Sequence, residues 1–133
     1  MATAERYTFD MPWEHGYGFN QAVRVGDEVR ISGQLSHDEE ANFVGEGDFE
    51  TQVRTTLANL DKVLDHFGAT RSQIVETTVL VKHLPEHFQA ICALHSEYVG
   101  AVRPATYVMG VSDLAFPQQL VEIGAVVRLD IEK

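Results

Sequence analysis

The stretch Leu120-Val-Glu-Ile-Gly-Ala-Val-Val-Arg-Leu129 is the longest strand signal in the chain. Its apolar and β-branched residues alternate across a pleated backbone. Val121, Ile123, Ala125, Val127 and Leu129 fill one face, and Glu122, Gly124, Val126 and Arg128 occupy the other. The first face predicts contact with helices. The second mixes apolar and charged groups and still needs a cover.

Working outward, Ala105–Val111 follows Pro104 as a strand, and Ile74–Val81 is dense in β-branched residues. Between them, Pro85 suits the first turn of a helix whose Phe88, Ile91, Cys92, His95 and Tyr98 or Val99 lie along one side, with Gly100 closing it. Earlier, Asp48 caps a helix in which Phe49, Val53, Leu57, Leu60, Leu64 and Phe67 form one apolar stripe, and Gly68 ends it. Gly26-Asp27 suits a tight hairpin turn between Gln21–Val25 and Val29–Leu35. Residues 36–47 are polar and rich in glycine, hence a surface loop. The first 20 residues read as an edge strand around Tyr7–Phe9 and a structured loop through Trp13 and Phe19.

These elements predict an α+β fold, a mixed β-sheet with two helices packed on one face, forming one domain over residues 1–133. Two helices cannot cover both sides of the sheet, so the helix-free face favours a homo-oligomer packed sheet against sheet. A length of 133 residues fits one compact unit. Twenty acidic side chains against 10 basic ones give a formal charge of -10, with no basic cluster. Such a field repels polyanions and anionic surfaces, so no nucleic acid and no membrane is expected as a partner. One cysteine and no secretion-type start point to a cytoplasmic setting.

Several blocks, in order, resemble the Rid family, the reactive intermediate deaminases also called YjgF-like or endoribonuclease L-PSP-like proteins. They are Gln21-Ala-Val-Arg-Val-Gly-Asp27, Ile31-Ser-Gly-Gln34, the helical Gln52, Asn59 and Leu60, Thr77-Thr-Val79 with Val81, Arg103-Pro-Ala105, and Leu120-Val-Glu-Ile123. The resemblance implies a chorismate-mutase-like fold and a homotrimer whose sheets form a central barrel, with ligand clefts at the subunit interfaces. It also implies hydrolysis of enamine or imine intermediates to a carbonyl product and ammonia, with no metal and no cofactor.

Carried onto this chain, the cleft would be lined by Phe19, Ser32, Gly33, Cys92, Tyr107 and Glu122. Glu122 would handle water and protons. Thr106, with the Gly33 backbone, would bind the ligand's polar end. In the deaminating branch the residue after Pro-Ala is an arginine that grips a substrate carboxylate, and here it is Thr106. A guanidinium offers a planar fork and a fixed charge, whereas a hydroxyl offers one neutral bond. Charge-assisted bonds contribute roughly 1.5–3 kcal/mol against about 0.5–1.5 for neutral ones, so carboxylate capture should weaken. Arg103 should face the other way, and Arg30 could reach only if its strand borders the cleft.

Cys92 and His95 share a helix face, as a thiolate and its base would, yet a lone cysteine among Ile91, Ala93 and Leu94 is more often a small buried hydrophobe. His83 and His87 have the spacing of a metal pair, but Pro85 breaks the register and no third ligand is evident. At the level of function, a non-catalytic ligand-binding or metabolite-sensing trimer is the alternative to the deaminase. Endoribonuclease or translation-inhibitor activity fits the charge poorly.

Overall fold

The structure is a computed structural model describing residues Met1–Lys133. Six strands form one sheet: β1 (Ala4–Tyr7), β2 (Ala22–Val25), β3 (Glu28–Gln34), β4 (Ile74–Lys82), β5 (Ala105–Val111) and β6 (Val121–Arg128). Their spatial order is β1-β2-β3-β6-β4-β5. Only β4 and β5 run parallel; every other neighbouring pair is antiparallel. The last strand therefore inserts between β3 and β4, splitting a β-α-β unit. Its central place explains why it is the longest apolar run.

Three helices complete the chain: α1 (Pro12–Tyr17), α2 (Phe49–His66) and α3 (Leu84–Val99). Asp48 caps α2 by accepting from the Thr51 N–H at 3.1 Å, and Gly68 follows its end at φ +65°. Phe49, Val53, Leu57, Leu60 and Leu64 are buried, meeting Val121, Ile123, Ala125 and Val127 in one core. Both the hairpin and the α2 stripe thus match the reading from sequence. The α3 stripe does so only in part. Ile91, Leu94, Tyr98 and Val99 are its buried residues, whereas Phe88 and Cys92 are exposed. This helix covers the β5 edge of the sheet and shares its inner side with α2, so Leu94 rather than Cys92 turns inward.

The first helix, α1, lies where the sequence suggested only a loop. Its signal was Pro12 at the first helical position with Glu14 two residues on. The Glu14 carboxylate, 2 % exposed, accepts from the N–H of Met11 at 2.7 Å and of Phe9 at 3.0 Å. Those bonds hold the segment that walls the principal cavity. No helix of the molecule is long and apolar enough to cross a membrane.

Candidate active site

A single irregularity in β3 builds the site. Ile31 pairs with Ala125 and Gln34 with Ile123, so three steps along β3 oppose two along β6. The extra residue is accommodated at Ser32-Gly33, beside Gly124, where a β-carbon would lie 3.1 Å from the Ile31 carbonyl. At Gly33 a β-carbon would overlap the Glu122 carboxylate and sit 2.5 Å from its carboxyl carbon. Gly33 is therefore the floor on which Glu122 rests.

Glu122 and Gly33 open into a cavity of about 620 Å³. Its walls include Trp13, Tyr17 and Phe19 from the α1 segment and Phe116 from the loop before β6. The Trp13 and Phe116 rings meet edge to face with centroids 5.7 Å apart. The nearest polar partner of Glu122 is Gln119, whose Nε2 lies 3.5 Å from Oε1. Burial pushes the Glu122 carboxyl above the usual range, and the Gln119 contact only partly opposes it. A carboxyl so placed can take a proton and return it.

Several donors at and near the wall are already spent. Ser32 Oγ donates to the Asn20 carbonyl at 2.6 Å. The Gln34 amide donates to Gln21 Oε1 at 2.7 Å and to the Ser32 carbonyl at 3.0 Å. Buried Gln119 donates chiefly to the Val121 carbonyl at 3.1 Å. Two fully buried amides of α2 hold the surrounding loops: Gln52 bonds Gly45, Gln118 and Leu120, and Asn59 bonds the carbonyls of Leu35 and His37.

Of the residues singled out from sequence, Phe19, Ser32, Gly33 and Glu122 therefore lie together in this cavity, and Thr106, Tyr107 and Cys92 do not line it in the same chain. Thr106 sits on edge strand β5 and points to the helix side, where its Oγ1 is 2.9 Å from Thr77 Oγ1. Glu122 points to the opposite face. The Thr106 hydroxyl donates to the Pro104 carbonyl at 3.0 Å, so it accepts from Thr77, which in turn accepts from His95 Nε2 at 2.9 Å. Tyr107 is exposed on the helix-free face, two strands from β6. Cys92 is exposed on α3 and His95 is committed to Thr77, so the two form no hydrogen-bonded pair. Arg30 is on the helix-free face of β3, where it lines a groove with Gly33 and Glu122 and bonds Glu28 at 2.9 Å. His87 stacks on Phe49 with centroids 4.1 Å apart.

Phe116, Gln119 and Glu14 were not identified from sequence as parts of the site. A proline-and-glutamate helix start marks Glu14. Gln119 bonds only near neighbours, Phe116, Val121 and Glu122, but no composition or spacing pattern marks it.

Comparison with known proteins decides the family. The model of the family described as Endoribonuclease L-PSP matches residues 14–129. The chain belongs to the Rid (YjgF-like) family. A RutC family protein of Pyrococcus abyssi is 31% identical over 96 residues, 72% of this chain and 75% of that protein. A structure of a conserved Rid family protein from Yersinia pestis is 34% identical, with a TM-score of 0.73, covering 95% of this chain and 98% of that one. A Dermatophagoides farinae protein named 2-iminobutanoate/2-iminopropanoate deaminase is 27% identical over 112 residues, 84% of this chain and 86% of that protein. This Rid-family chain shares the mixed sheet and packed helices of such structures.

Proposed function

We propose that this Rid-family protein hydrolyses enamine or imine intermediates to a carbonyl compound and ammonia, in a cleft completed by a second copy of the chain. The supporting observation is the desolvated Glu122 carboxyl laid over Gly33 in an aromatic cavity. In the proposed reaction the substrate reacts as its protonated iminium form, an enamine after protonation at carbon; water oxygen bonds to the iminium carbon while Glu122 takes one of the water's protons. The neutral carbinolamine collapses as Glu122 returns that proton to nitrogen, the C–N bond breaks, ammonia leaves, and the hydroxyl proton passes to Glu122 or solvent as the C=O bond forms. Oxygen and proton balance without a redox partner.

The separation of Glu122 and Thr106 within one chain fits a homotrimer in which the β5 edge of one copy closes the open side of the next copy's cavity. Thr106 and Cys92 would then enter as the neighbour's wall. The test is ammonia release from 2-aminoacrylate or 2-iminobutyrate generated in situ. Acceleration over buffer that Glu122→Gln abolishes supports the reading; release at the buffer rate excludes this activity toward those substrates.

A second reading, a ligand-binding or sensing protein without turnover, is favoured by Thr106, whose only proton is spent on Pro104. Thermal stabilisation by ligands that are never consumed would distinguish it.

A further inference from the structure

The cavity walls carry one carboxyl and no lysine or arginine. The proton of Ser32 and both amide protons of Gln34 are consumed inside the chain. Glu122 is left as a carboxyl whose Oε1 has one long contact and whose Oε2 has no hydrogen-bond partner. Neutral donors remain on the walls in the indole of Trp13 and the hydroxyl of Tyr17, but no lysine or arginine does, and the one carboxyl, Glu122, is under-bonded.

The apolar part of the walls points the same way. The rings of Trp13, Tyr17, Phe19 and Phe116 surround the carboxyl, and aromatic faces attract cations most strongly in desolvated sites. An anionic ligand here would lose hydration, face Glu122 and gain no charged partner.

We infer that this cavity selects ligands carrying a protonated amine or iminium nitrogen on an apolar body of aromatic-ring size, and discriminates against carboxylates. The inference rests on reading this cavity as the ligand site, and it names the charge class of what enters. A ligand N–H group would donate to Glu122 Oε2 while its body lies among the rings. Closure by a second copy through Thr106 would preserve this selectivity, because that hydroxyl can only accept. His95 adds no cation there, since burial lowers its pKa and its Nε2 bonds Thr77.

The test compares binding of benzylamine, benzyl alcohol and benzoate to the full chain by calorimetry at neutral pH and fixed ionic strength. Benzylamine should bind about tenfold or more tightly than benzoate, the discrimination one charge-assisted bond supplies. Glu122→Gln should reduce that ratio to near unity, and Trp13→Leu should weaken benzylamine while circular dichroism stays unchanged. Benzoate binding as tightly as benzylamine, or no binding of any probe at millimolar concentration, overturns the inference. If benzoate binds and Arg103→Ala abolishes it, a guanidinium serves the site and the inference is likewise overturned. Benzylamine binding without ammonia release from any imine would retire the catalytic reading and leave this one standing.

Discussion

The carboxyl of Glu122 lies directly over the α-carbon of Gly33, closely enough that a β-carbon at residue 33 would overlap Glu122 Oε2. The bulge in β3 creates that approach. Position 33 therefore sets where the only acidic group of the cavity can stand.

Gly33→Ala should fold, since Gly33 does not occupy the left-handed region and the overlapping group is a movable side-chain end. The forced shift of Glu122 should cost about 1 kcal/mol of stability. Imine hydrolysis should fall by about 10²-fold or more, the usual scale for displacing an acid–base group. Denaturant unfolding and ammonia release measure the two effects separately.

Burial raises the folded-state pKa of Glu122 above its unfolded value, near 4.5. The protonated form is thus favoured by folding; that contribution is complete below the unfolded value and is lost as pH rises through the folded one. Glu122→Gln stays neutral throughout. Its melting temperature should exceed that of the wild type at neutral pH, and the difference should shrink toward zero below pH 4.5. A difference independent of pH would contradict the placement of this carboxyl. Hydrolysis by the wild type should rise with pH through the same raised value, because only the carboxylate accepts the proton of water.

Gln52 satisfies three backbone groups on two loops, at distances of 2.8–3.1 Å. Gln52→Ala would leave the Leu120 N–H without its acceptor, at a cost of about 1–3 kcal/mol. Amide exchange at Leu120 should accelerate, and ligand binding should weaken because this loop carries Phe116 and Gln119.

Away from the cavity, Asp61 accepts from the Tyr98 hydroxyl at 2.6 Å and from Arg71 at 2.7 Å, while the Arg71 guanidinium lies 4.0 Å above the Tyr98 ring. Tyr98 is buried, and burial, followed by Asp61, pushes its phenol pKa upward. Asp61→Ala strands the phenolic proton and should destabilise the fold by about 1–3 kcal/mol. Deaminase activity at permissive temperature should be unchanged.

The parts of this molecule legible in sequence are those whose cause is local or periodic. The alternation in Leu120–Leu129 separated its two faces correctly, and the spacing of Phe49 through Leu64 placed α2 against one of them. The β5 segment was also legible as a strand, but not its role as an edge. On α3, Cys92 and Leu94 are both plausible inward residues; only the position of the helix over the sheet edge selects Leu94. The bulge at Ser32-Gly33 is a matter of register between β3 and β6, which no local pattern carries. For the same reason the face of Thr106 escaped the sequence: Thr77, which orients it, is brought alongside by parallel pairing of β4 and β5.

The central claim, that a working site takes Glu122 from one copy and the Thr106 wall from another, is tested most directly by subunit mixing. Glu122→Gln and Thr106→Trp chains, each inactive alone, would be unfolded together, refolded at equal ratio, and assayed for imine hydrolysis. With random assembly, about a quarter of the interfaces regain both intact partners, so about a quarter of wild-type activity should return. Mixed chains as inactive as the separate variants would contradict a shared site.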